Sequence, residues 1–221
     1  MKKIIKSLTT IINAEDIQDL LDDTNQNYRP HDPGGYLYNL MLKYSFEDKF
    51  SDEFVELVYT TLIAWNMNQR AAKLSDFDLF KESLFENKDT IHQMEKYRIE
   101  ELESIAPIEK PIRLLFEKLN LVAVRKPKLV TFSKTLHFFL PDLLMPIDRT
   151  YTLLFFYNHY NIADNDEQIQ KYLYVLEQFR QFAKKHRDDK AFKECDKRLI
   201  KNIPKMIDNI IIGYIKKKKM L

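Results

Sequence analysis

Apolar residues recur along this chain at steps of three and four, the spacing that lines one face of an α-helix. Phe54, Leu57, Val58, Leu62 and Trp65 follow it with Thr61, and so do Tyr172, Leu173, Leu176, Phe179 and Phe182. The pattern predicts helices near 2–12, 15–23, 36–44, 51–65, 76–86, 89–104, 109–122, 133–140, 148–160, 165–186, 190–201 and 204–216. Ser51, Asp76, Asp89 and Ser133 stand where N-caps are expected, because a short side-chain oxygen can accept from the free N–H groups of a first turn. Pro111 and Pro204 suit first turns for the opposite reason, lacking a donor that would go unpaired. The expected fold is all-α, a multi-helix globular domain.

Glycine scarcity sharpens that expectation. Gly34, Gly35 and Gly213 are the only three, which argues against β-hairpins, dinucleotide-binding turns and phosphate-cradling loops, all of which need glycine. One longer loop, TNQNYRPHDPGG from Thr24 to Gly35, reads as a linker or a lid. It divides an N-terminal helical extension, 1–35, from a helical domain over 36–221 that is expected to form one compact unit.

With 221 residues, 45% hydrophobic and 13% aromatic, the chain can bury a full core. Cys195 is the only cysteine and the five histidines are scattered, so neither a disulfide framework nor a zinc or iron site is expected. No cofactor is implied. Lys6 and the Thr9-Thr10 pair interrupt the apolar character of Met1 to Ile12, and no run reaches the ~18 apolar residues of a membrane span. The expectation is an intracellular, cytoplasmic protein that neither enters nor crosses a membrane.

The net charge of +2 conceals segregation. Residues 1–109 carry 12 basic against 21 acidic side chains, 110–134 carry 7 against 1, 135–183 carry 3 against 6, and 184–221 carry 13 against 5. The two basic blocks can form one face for a polyanion, or two solvated lysine-rich surfaces. The final run, Lys216 to Lys219, reads as a frayed tail.

Candidate chemistry concentrates in FSKTLHFFLPDLLMPIDRTY, Phe132 to Tyr151. Here Lys134 follows the expected Ser133 cap, and Asp148 opens another helix fourteen residues later. If Pro141 to Ile147 doubles the chain back, amine and carboxylate face one cleft. A nucleophilic lysine must be partly neutral near pH 7, which burial or the positive end of a helix dipole would favour. A carboxylate at a helix N-cap stays ionised, because the same N–H groups bind its anion.

Three segments in this order resemble the helix-hairpin-helix DNA glycosylase superfamily, nearest its 8-oxoguanine glycosylase-like branch. They are LIAWNMNQRAAKL (62–74), KLVTFSKTLHFF (128–139) as a helix-hairpin-helix, and PID (146–148) opening a helix. The resemblance covers roughly residues 51–215 and implies a glycosylase-like fold acting on double-stranded DNA with a damaged or modified base. It implies that Lys134 is a Schiff-base nucleophile and Asp148 the catalytic aspartate, although the segment between them is shorter here. It further implies that the WNMN turn, with Asn66 and Asn68, enters the duplex opposite a flipped base. Trp65, His137, Tyr151 and Phe155 are candidates to stack on that base, and Arg70 could meet a phosphate. The family's two hairpin glycines are replaced by Val130 and Phe132, which do not readily take positive φ. The hairpin is therefore expected to follow another backbone path, with Arg125, Lys126, Lys128 and Ser133 contacting phosphate through side chains. Without four cysteines, an iron–sulfur version is excluded.

Each assignment has an alternative. Asp148 after Pro146 can simply start a helix, Lys134 can be a solvated first-turn residue, and Trp65 and His137 can be core. Asn66 and Asn68 can cap the preceding helix, and Arg70 can pair with an acidic surface residue. Three functions are compatible with the sequence: a DNA N-glycosylase with or without lyase activity, a noncatalytic nucleic-acid-binding relative, and a helical interaction module whose acidic N-terminal half meets a basic partner.

Overall fold

The computed structural model describes residues 7–26, 33–45, 47–68, 73–123, 127–158, 165–193 and 202–218. Among them the architecture is all-α: the only extended pairing is an isolated antiparallel bridge between Leu74 and Val122. The N-terminal helices are α1 (Leu8–Ile11), α2 (Ala14–Gln26) and α3 (Pro33–Met41). A 3-10 turn, Glu47–Phe50, leads into α4 (Asp52–Ala64), followed by α5 (Phe77–Glu86), α6 (Lys88–His92), α7 (Ala106–Lys118) and α8 (Leu129–Phe139). A π-helical turn, Arg149–Leu153, runs straight into α9 (Leu154–Tyr157), and α10 (Asn165–His186), α11 (Lys190–Lys193) and α12 (Ile203–Lys217) complete the chain. No helix among the described residues is long and apolar enough to cross a membrane.

One core cluster takes side chains from Leu8 to Ile215, so the N-terminal helices belong to the same core as the rest. α2 lies along α12, and a Cβ on Gly213 would run into the carbonyl oxygen of Leu20. Thr24 Oγ1 donates to Asn209 O across this contact at 2.7 Å. Thr24 therefore ends no helix, and Pro33, Gly34 and Gly35 already belong to α3. The expected 24–35 loop is shorter than its sequence suggests, and 27–32 lie outside the described residues.

Every residue of α8 is buried, the polar Thr131, Ser133, Lys134, Thr135 and His137 included. The helix starts four residues before the expected Ser133 cap. The reason is tertiary: the buried Gln168 of α10 accepts from both Lys128 N (2.9 Å) and Leu129 N (3.0 Å), satisfying donors that a local cap would otherwise serve. Leu129–Phe139 is thus one continuous helix with Lys128 as its N-cap, and Val130 and Phe132 are buried inside it. Among described non-glycine residues, positive φ occurs only at Asn66 and Asn158.

Other departures have similar causes. The helix expected over 89–104 stops at His92, and Ile99 N donates instead to Asp142 O at 3.1 Å. Asp89 lies in the first turn of α6 rather than capping it; Asn87 is the N-cap, and its amide bonds back to Ser83 O. α7 begins at Ala106, which leaves Pro111 inside the helix instead of in its first turn. Ser51 and Asp76 do cap, accepting from Phe54 N and Asp78 N. Lys216 and Lys217 form the last turn of α12, where cations oppose the negative end of the dipole, and are no frayed tail.

Candidate functional site

Lys134 and Asp148 meet. Lys134 Nζ lies 3.6 Å from Asp148 Oδ2, with the two side chains 10% and 23% exposed, so the pair is screened from bulk water yet not sealed. The amine also lies 5.1 Å from the ring centroid of Trp65. Because α8 starts at Leu129, Lys134 stands in its second turn, and the dipole of a helix terminus does not act on it as expected. Burial, a carboxylate and an aromatic face make its environment instead.

Asp148 is an N-cap, as its sequence context suggests. Its Oδ1 accepts from Thr150 N at 2.7 Å, leaving Oδ2 for Lys134. The turn it opens is wider than α, with Leu153 N donating to Asp148 O at 3.0 Å, five residues back.

Two α8 side chains one turn apart grip the returning strand of chain. Ser133 Oγ accepts from Ile147 N at 2.9 Å and donates to Val130 O at 3.0 Å. His137 Nδ1 lies 2.6 Å from Leu144 O. A carbonyl only accepts, so Nδ1 carries the proton and Nε2 accepts from Tyr38 Oη at 2.8 Å. Tyr38 Oη in turn accepts from Asn202 Nδ2 at 2.7 Å. Burial pulls the His137 pKa down to about 3, so the ring is neutral. Ser133 and His137 are fully buried and spend their polar atoms on the fold, which removes them as phosphate and base contacts. Phe155 is equally buried, against Phe156 and Tyr214, and presents no stacking face.

Trp65 is half-buried, packing on Phe138 (5.3 Å) and Tyr38 (6.2 Å) on one side of the Lys134 amine. It is therefore a wall of the site and an edge of the core at once. Asn66 takes φ 60° and closes a Schellman-type end to α4, with Asn66 N donating to Ile63 O and Met67 N to Leu62 O. Its side chain and that of Asn68 are exposed. Tyr151 is half-buried in the π turn and packs on the core. Lys128 is turned inward: its amine reaches Phe116 O and stands 4.5 Å from the Phe116 ring centroid, so it is not offered to a phosphate. Arg70, Arg125 and Lys126 lie outside the described residues.

Several residues around the pair escape a sequence reading. Thr152 Oγ1 accepts from Asp148 N at 3.1 Å and donates to Asp208 Oδ1 at 3.3 Å, while Asp208 Oδ2 is held by Lys205 Nζ at 2.5 Å. The available signal is Asp208 itself, the lone acid in the isoleucine-rich run MIDNIIIG. Among the described residues no group of three His, Cys, Asp or Glu could hold a metal ion. A cavity of about 360 Å³ between α7 and α10, with Arg113, Phe116, Lys128 and Asp166 in its walls, includes neither Lys134 nor Asp148. No protein-family model, curated protein or solved structure matches the chain.

Proposed function

We propose that this protein is a glycosylase-like enzyme, removing an oxidised or modified base from duplex DNA through Lys134 and Asp148. The observation that carries the reading is the 3.6 Å approach of a screened amine and carboxylate, delivered by two segments fourteen residues apart. An amine needs a free lone pair to attack, and Asp148 Oδ2 is placed to take its proton. The lone pair then forms a bond to the sugar C1′ as the glycosidic C–N bond breaks and the base leaves with the electron pair. Asp148 passes that proton to the departing base, and its regenerated carboxylate faces the positive charge at C1′ and the ring oxygen. Loss of a second amine proton and opening of the C1′–O4′ bond, with a proton to O4′, leaves a protonated imine on Lys134.

Trp65 supports the same reading as an aromatic wall against which an extruded nucleotide can lie. The burial of Val130 and Phe132 in α8 means that duplex contact must come from surfaces other than a glycine hairpin.

Borohydride trapping tests the proposal, because hydride reduction of the imine makes the adduct permanent. Duplexes carrying 8-oxoguanine, uracil or an abasic site are compared with unmodified DNA. An adduct is expected on one lesion and absent in Lys134→Ala, with the thermal midpoint of that variant within a few degrees of wild type. Salt-sensitive DNA binding with no adduct on any lesion would instead mark a noncatalytic nucleic-acid-binding protein.

A further inference from the structure

The geometry points to Asp208, acting through Thr152, as a positioning residue that sets how Asp148 presents its carboxylate to Lys134. This rests on the proposed role of the pair and names a part of its machinery that neither the Lys134 segment nor the PID turn contains.

Thr152 is fully buried and Asp208 is 3% exposed, so their hydrogen bonds are not exchanged for water. The directions are forced. A backbone N–H can only donate, so Thr152 Oγ1 accepts from Asp148 N; the hydroxyl proton then goes to the Asp208 carboxylate. Lys205 Nζ, on the same helix, occupies the other carboxylate oxygen at 2.5 Å and compensates its buried charge.

Consecutive donors are thereby tied to different elements. Ile147 N goes to Ser133 of α8, and Asp148 N goes to Thr152 backed by α12. Without Asp208 the Thr152 hydroxyl has a competing acceptor four residues back, the carbonyl of Asp148. That carbonyl already receives Leu153 N in the five-residue bond that defines the π turn. A hydroxyl released onto it favours resetting the turn, which would rotate the Asp148 cap and move Oδ2 away from the amine. An acid inside an isoleucine-rich helix face is costly to bury, and this linkage supplies the reason for it.

The test uses Thr152→Val, Thr152→Ser, Asp208→Ala and Asp148→Asn in the full chain. Two quantities are read: the pH profile of Lys134 acylation by acetic anhydride, followed by peptide mass, and adduct formation on the lesion duplex. Thr152→Val and Asp208→Ala are expected to displace the acylation profile in the direction that Asp148→Asn does. They should also slow trapping by up to about 100-fold, the scale of a misplacement of about 1 Å. Thr152→Ser, which keeps the hydroxyl, should leave both near wild type. A Thr152→Val profile superimposed on wild type while Asp148→Asn shifts it overturns the positioning role. Should Asp208→Ala fail to fold, the Val and Ser pair at 152 still decides the matter. Absence of any adduct in wild type, with the acylation shifts present, would remove the glycosylase reading and leave the linkage standing.

Discussion

Ser133 Oγ takes the N–H of Ile147 at 2.9 Å, and the next residue along the chain from each is Lys134 and Asp148. One buried bond between neighbours therefore sets the register in which amine and carboxylate meet. Ser133→Ala leaves the Ile147 N–H without this partner inside the core. It should cost about 1–3 kcal/mol of stability and lower trapping well beyond the loss of folded protein. Urea denaturation and adduct yield, measured together, check this; a destabilised variant with undiminished yield per folded molecule would refute the register argument.

His137 makes the fold sensitive to acid. Its folded pKa of about 3 lies below the ordinary 6.5, chiefly through burial. Below pH 6.5 the unfolded chain takes up a proton that the folded chain refuses, so stability falls as pH drops toward about 3. The slope from this one group approaches about 1.4 kcal/mol per pH unit. His137→Gln should flatten the acid limb of a stability–pH curve by that amount, and an unchanged limb would mean that other groups dominate it.

Lys49 works on the alkaline side. Its amine donates to Phe139 O at the end of α8, and burial lowers its pKa to about 8 against the pull of Asp142 and Glu95. Between about pH 8 and 10.5 the unfolded lysine is charged and the folded one is not. Stability contributed by this site therefore rises with pH across that window. Comparing Lys49→Met with wild type at pH 8 and pH 10 checks the sign: the wild type should gain stability relative to the variant at the higher pH.

Trp65 is the only tryptophan, and its ring lies 5.1 Å from the Lys134 amine. Its emission should report the charge of that amine. A pH-dependent step is expected in wild type, displaced in Asp148→Asn and missing in Lys134→Met. If the step survives in Lys134→Met, the ring does not sense this amine.

Much of this was legible in the chain itself. α10 was readable to the residue, α4, α5 and α12 nearly so, because their apolar spacing, the local caps Ser51 and Asp76, and Pro204 in the first turn of α12 agree with the tertiary fold. The meeting of Lys134 with Asp148 was readable too, since Pro141 and Pro146 bracket the return between two helices. The start of α8 was not, because its capping oxygen belongs to Gln168, forty residues away. For the same reason Ser133 read as a cap, and His137 was open between a binding and a core residue: Ile147 N and Leu144 O belong to a loop that only the folded chain brings near. Lys128 read as a phosphate contact because composition says nothing about which way a lysine stem turns.

Gly213 allows α12 to lie against the Leu20 carbonyl, and Gly213→Ala should oppose that approach. The gain in helix propensity is about 1 kcal/mol, while a methyl forced against backbone costs about 1–3 kcal/mol or more. A lower thermal midpoint is expected. A raised one would show that α2 and α12 can part without loss.

α12 follows every other described element, and its bonds reach far back, Asn209 to Thr24 across 185 residues and Asn202 to Tyr38 across 164. A ribosome emits the chain from the other direction. Lys134, Asp148 and Trp65 are all synthesised well before the helix that holds Asp208, and contacts of such long range form late and slowly. A nascent chain would therefore carry the Lys134 amine and Asp148 together for some time before Asp208 reaches Thr152, and that buried linkage would form only as α12 docks.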